Sequence, residues 1–159
     1  MKKIFCVLLA TIMLFALCAC NKSEKSNSPD KNDVTETPDG MVIGGCVIRY
    51  NDFELLNDEG VDVIAINYTF TNNNDYATSF FLASIYEAKQ GDEEIFTRIV
   101  FTDEGSLDSM SDSTMEEIGS GESIDVTVTY ALADTTTPVT VTFSDIASTV
   151  EESHTIEIA

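Results

Sequence analysis

Apolar side chains recur at every second position in three stretches of this chain. Ile64, Ile66, Tyr68 and Phe70 alternate with Ala65, Asn67 and Thr69. Ile124, Val126, Val128, Tyr130 and Leu132 alternate with Asp125, Thr127, Thr129 and Ala131, and Val139, Val141 and Phe143 alternate with Thr140, Thr142 and Ser144. A period of two sends successive side chains to opposite faces of a strand, so each stretch has one dry face and one wet face. A one-residue slip would turn every apolar side chain into water, which fixes the register and predicts antiparallel sheets with one face inward. Less regular strands are expected over 47–56, 79–88, 95–102 and 154–158. Turn signals separate them at 57–60 (NDEG), 71–75 (TNNND), 90–94 (QGDEE), 119–122 (GSGE) and 134–138 (DTTTP). In these, Gly supplies positive φ and Asn or Asp bonds its own backbone.

The one contender for a helix, 106–118, is rich in Ser and Asp and reads as a loop. About seven short strands between regular turns predict an all-β fold, an immunoglobulin-like antiparallel β-sandwich over 41–159. The Cys–Trp–Cys signature of antibody domains is absent, so only the architecture is implied.

The pattern before residue 41 is different. Residues 1–19 carry Lys2 and Lys3, an apolar run from Ile4 to Leu17 and then small residues, the plan of a secretory signal peptide. Leu17-Cys18-Ala19-Cys20 resembles the bacterial lipobox, which implies cleavage before Cys20 and a diacylglyceryl group on its thiol. Two acyl chains give the double signal that stable anchoring in a lipid bilayer needs, at about 0.8 kcal/mol per buried CH₂. Residues 20–40 are then the lipidated Cys and a polar linker with Pro29 and Pro38, too polar to bury anything. A flexible tether of about 20 residues reaches roughly 25 Å, enough to lift a small domain clear of the headgroups. Cys6 and Cys18 leave with the leader and Cys20 is acylated, so Cys46 is the one thiol left and no internal disulfide is expected. In the apolar run Gly44-Gly45-Cys46-Val47-Ile48, Cys46 reads as a buried small hydrophobe.

Charge narrows the partners. There are 8 Lys+Arg against 28 Asp+Glu, a formal charge of −20. Removing Lys2 and Lys3 leaves 6 against 28, or −22. Such a surface repels a phosphate backbone within a Debye length of about 8 Å, so nucleic acid is not an expected partner. A hydrophobic fraction of 43% with nine Phe and five Tyr is ample for a core.

Candidate chemistry is sparse. His154 is the single imidazole, Cys46–His154 is the only conceivable thiol–imidazole pair, and two soft ligands do not make a zinc site. Glycoside hydrolysis needs two carboxylates beside an aromatic-floored cleft, and the chain has no Trp. Calcium suits clustered hard oxygens, and Asn57, Asp58, Glu59 and Asp62 in one turn, or Asp103, Glu104, Asp108 and Asp112 in another, are candidates. Neither follows the twelve-residue calcium-loop spacing, and a solvated acidic face accounts for both.

At YTFTNNND (68–75), KQGDEEI (89–95), GSGESIDVTVTYALAD (119–134) and TPVTV (137–141) the sequence resembles a family of small Gram-positive surface lipoproteins with one immunoglobulin-like domain of unknown function. A related group of telokin-like lipoproteins includes phage superinfection-exclusion and secreted antigen proteins. These motifs are turns and core strands, so the resemblance implies a fold and a location, with no catalytic residue to transfer. The expectation is a non-enzymatic, outward-facing, membrane-anchored domain that binds a protein or other ligand at the cell envelope. Asn72, Asn73, Asn74, Asp75, Asp103, Glu104, Asp108 and Asp112 are the candidate binding-loop residues. The rival expectations are an exclusion or immunity lipoprotein, a calcium-stabilised structural module and a carboxylate-dependent envelope hydrolase.

Overall fold

The computed structural model describes residues 40–102, 105–107, 111–147 and 149–159. The leader, Cys20, the tether, Asp103, Glu104 and Asp108 lie outside the described residues. Among the described residues there are ten strands: β1 Met41–Ile43, β2 Cys46–Asp58, β3 Val61–Asn72, β4 Ile85–Gln90, β5 Glu93–Ile95, β6 Val100–Thr102, β7 Gly105–Leu107, β8 Ser123–Ala131, β9 Val139–Ser144 and β10 Glu151–Ile156. The same residues hold two single-turn helices, α1 Phe80–Ala83 and α2 Asp112–Met115.

The strands form two four-stranded antiparallel sheets in the orders β1-β2-β3-β8 and β10-β9-β4-β5, with β6 and β7 as a separate ribbon. This is an all-β sandwich, as the alternation predicts, with more strands than the expected seven or so and with β2 and β3 longer than expected. The three regular stretches became β3, β8 and β9 with their apolar sets inward. Ile64, Ile66, Tyr68 and Phe70 are fully buried, as are Val128, Val139, Val141 and Phe143.

β2 and β3 form a long hairpin closed by Glu59-Gly60, both at positive φ, +52° and +88°. That two-residue turn matches the right-handed twist of its strands. Asn57 holds it, its Oδ1 accepting from Gly60 N at 3.1 Å and its Nδ2 donating to Asp62 Oδ1 at 3.0 Å. A bulge at Asn51 shifts the register between Tyr50 and Asp52 and keeps Phe53 on the inner face opposite Ile66.

Two expected strands differ from the alternation. Over 79–88 the chain first makes α1, because the Ser79 hydroxyl accepts from Leu82 N at 3.3 Å and caps the turn, and only then enters β4. Over 95–102 the chain changes sheets. Glu94 and Ile95 pair with β4, while Phe96 O accepts from Ala131 N at 3.0 Å and Arg98 N donates to Thr129 O at 3.1 Å. The segment 96–98 therefore closes one side of the sandwich against β8. The β6–β7 ribbon then lies over the outer face of the first sheet, where the Thr129 hydroxyl donates to the carbonyls of Arg98 and Leu107. The expected loop at 106–118 contains the end of β7 and all of α2.

Between the sheets the aromatic rings meet edge to face. Tyr68 and Phe143 are 5.3 Å apart at 85°, and Phe70 and Phe80 are 5.7 Å apart at 85°. His154 on β10 joins them, with its ring centroid 5.2 Å from Tyr50 and its Nε2 2.9 Å from the Tyr68 hydroxyl. Burial lowers the imidazole pKa from 6.5 to about 4.

Between pH 6.5 and 4 the unfolded chain binds a proton at His154 that the folded chain does not, so stability falls as pH drops through that window and is insensitive to this group above it. The loss is at most about 3 kcal/mol, less in proportion to the ring's residual exposure. His154→Gln, which can still meet the Tyr68 hydroxyl, should flatten urea-derived stability between pH 4 and 6.5; an unchanged slope would remove His154 as its source. Separately, Glu59→Asn should raise the free energy of unfolding by roughly 0.5–1 kcal/mol, because Asn tolerates the left-handed conformation better. Calorimetry reading no gain, or a loss, would contradict this.

Candidate functional site

The Asn-rich turn is a lock. Asn72, the last residue of β3, is fully buried. Its Nδ2 donates to Tyr76 O at 2.7 Å and to Ile118 O at 3.0 Å, while its Oδ1 accepts from Asn74 N at 3.0 Å and from the Cys46 thiol at 3.8 Å. Asn74 Nδ2 reaches Gly44 O at 3.1 Å and Cys46 Sγ at 3.3 Å. Gly45, at φ +81°, has to be glycine here, because a Cβ would collide with the Asn74 side chain. Of the expected binding residues in this loop, only Asn73 and Asp75 face solvent fully. Cys46 is buried as expected, and desolvation raises its thiol pKa, opposed by hydrogen bonds from Asn73 and Asn74. Its polar contacts are these asparagines, whereas His154 is bonded to Tyr68, so the structure gives the two groups different partners.

The Gln-Gly turn and the Asp134 loop also belong together. Buried Gln90 donates to Asp134 O at 2.7 Å and Thr137 O at 3.0 Å, and its Oε1 accepts from Ala133 N at 2.7 Å. Asp134 takes the backbone N–H of Thr137 and of Thr136, each at 2.7 Å, and both hydroxyls. Those bonds hold its carboxyl well below the usual carboxylate range. Asp145 is lowered likewise, first by the Thr149 hydroxyl and then by the Thr149 N–H.

In the turn at 57–62, the Asp58 carboxylate meets Arg98 at 2.6 Å and Asp62 accepts from Asn57, while Glu59 is exposed. Among the described residues no group of three or more His, Cys, Asp or Glu is placed to hold a metal ion. Asp112 is exposed in the first turn of α2, beside a hollow of about 490 Å³ that Thr102, Ser106, Leu107 and Ser111 also line.

What the alternation did not reveal is an apolar surface where the chain changes sheets. After Ile95 the backbone leaves β4 to join β8, and a cleft of about 290 Å³ opens between them, lined by Phe81, Ser84, Ile85, Tyr86 and Thr97. Phe81 is 42% exposed, Ile85 47% and neighbouring Phe96 69%; Phe101, on the ribbon beyond, is 81% exposed. The outward signal was present in IFTRIVFT (95–102), whose apolar residues fall on both faces, too many for a strand with one dry side.

The fold is a small β-sandwich with its polar motifs folded inward as locks and with exposed apolar side chains where the chain changes sheets, besides others such as Val42, Leu55 and Ile146. The chain belongs to the family of a domain of unknown function, DUF5067, whose model matches residues 19–145 and so takes in every strand but β10. No curated protein and no solved structure matches it.

If Asn72 and Gln90 act as locks, Asn72→Ala and Gln90→Ala should each cost about 2–4 kcal/mol, because each leaves several buried backbone groups without partners. Asn73→Ser and Asp75→Ser should stay within about 0.5 kcal/mol. Urea midpoints that rank these four variants otherwise would refute the assignment.

Proposed function

We propose that this chain is a lipid-anchored, outward-facing surface protein whose immunoglobulin-like domain binds a protein at the cell envelope. The observation that carries the reading is the exposed apolar edge around Phe81, Ile85 and Phe96. Phe81 and Ile85 line one cleft while still exposed, and contiguous exposed apolar surface marks interaction sites. The lipobox-like Leu17–Cys20 and the polar tether support the location, and the family match, beginning at residue 19, takes in both Cys20 and the domain. The strand order supports the immunoglobulin-like description: the chain passes from β3 in one sheet to β4 in the other, and again from β8 to β9, as in Greek-key sandwiches.

Cys20→Ala should release the protein into the medium or block its processing, as read by membrane fractionation and intact mass. Unchanged fractionation would refute lipidation as the attachment. Chemical cross-linking on intact cells, with Cys20→Ala as control, should capture a reproducible partner; no capture above control would count against the binding role.

A further inference from the structure

β10 is a lightly anchored edge strand. It pairs with β9 alone, from Glu151 opposite Ser144 to Ile156 opposite Val139. β9 sends Val139, Val141 and Phe143 fully buried into the core, whereas the inward face of β10 carries Glu152, His154 and Ile156, of which Ile156 alone is apolar. Ile158, just beyond, is partly buried, and a bond of 2.8 Å between the Thr155 and Thr140 hydroxyls adds a side-chain tie to β9. The family match stops at residue 145, before this strand begins. Elements with few buried apolar contacts are those that open locally, at a lower free energy than the whole fold.

The largest group with which β10 meets the core is an imidazole. His154 lies 5.2 Å from the ring of Tyr50, 5.6 Å from that of Tyr68 and 6.5 Å from that of Phe143, and it bonds the Tyr68 hydroxyl. Ionised, the ring has two N–H donors inside this aromatic wall, and the Tyr68 hydroxyl brings no charge to offset the proton. Glu152 shares the inward face of β10 but stands opposite Phe143, two residues from His154. Arg49 and Asp52 flank Tyr50 on β2 and are both exposed, while β1, β3 from 63 to 72, β9 and α1 carry no charged side chain. Desolvation is accordingly what lowers the imidazole pKa.

We propose that β10 is an acid-released edge strand: protonation of His154 detaches it from β9 and from the rings of Tyr50 and Tyr68, while the other strands of both sheets stay paired. The acid sensitivity of the fold is then spent first on one strand. Release bares the β9 edge from Val139 to Ser144, a row of backbone groups able to pair with an extended chain. With the imidazole at its ordinary 6.5 in the released strand and at about 4 in the closed one, the released population rises as pH falls between these values, by at most about 300-fold, and is flat above them.

The test is native-state hydrogen exchange, read by mass spectrometry on the full chain in phosphatidylcholine nanodiscs at pH 6.5, 5.5 and 4.5 and at several urea concentrations below the unfolding transition. Rates are normalised to unstructured peptides of the same sequence. Above pH 4.5 the Asp145 carboxylate, which holds the β9–β10 turn through Thr149, stays ionised and does not contribute. The amides of β10 should exchange through an opening that urea hardly changes, with protection falling more than tenfold from pH 6.5 to 4.5. Those between β3 and β8 should exchange only through a rarer, strongly urea-dependent opening. His154→Gln should remove the pH dependence of β10 protection, and Glu152→Gln should keep it. The proposal is overturned if β10 requires the same urea-dependent opening as β3, if its protection in the parent chain is flat over this range, or if His154→Gln keeps the slope. The parent chain's urea dependence decides the matter even if a variant fails to fold.

Discussion

Tyr68 must keep its ring dry and its hydroxyl bonded at the same time, and the rest of the sandwich is arranged around that requirement. It sits in mid-β3, a central strand paired on both sides along most of its length, with Tyr50 opposite on β2 and Val126 opposite on β8. Its ring meets Phe143 and Phe80, and its hydroxyl meets His154 from the other sheet. Burial pushes the Tyr68 pKa far up, first by desolvation and then by the neighbouring tyrosines, so the hydroxyl stays protonated. One side chain thus ties both sheets by packing and by a polar bond. The bond specifies position more than it adds net stability, because water would have served either group equally well in the unfolded chain.

Antiparallel sheets stacked face to face leave open edges, and this chain deals with one of them by changing sheets in mid-strand. The backbone of Phe96–Arg98 closes on β8, and the Arg98 guanidinium then fastens the β2–β3 turn through Asp58. That closure protects backbone groups that would otherwise invite pairing with another chain. Its consequence is geometric: a strand that departs from β4 cannot also cover it, and the apolar side chains on both banks stay in water.

The elements readable in the sequence are those where one physical term dominates. β3, β8 and β9 were legible because a strict alternation admits one register. The burial of Cys46 was legible because its neighbours are apolar. α1 was not, because FFLA has as many apolar residues as a strand and its start depends on one hydroxyl, that of Ser79. The turn-forming character of Asn makes Asn72 look like a loop residue open to a ligand. Its burial depends on the carbonyls of Tyr76 and Ile118, and Ile118 is distant in sequence. The cleft was illegible for a related reason: it arises from where a strand goes next, and alternation describes only the strand itself.

Cys46 carries a practical consequence of this packing. Fully buried at the start of β2, held by two asparagines and with its thiol pKa raised, it reacts with a maleimide only when that end of the first sheet opens. If Cys20 carries lipid as proposed, the labelling rate of Cys46 becomes an internal clock for strand opening. It can be read by mass shift on whole cells, without purifying the protein or adding a probe to its surface.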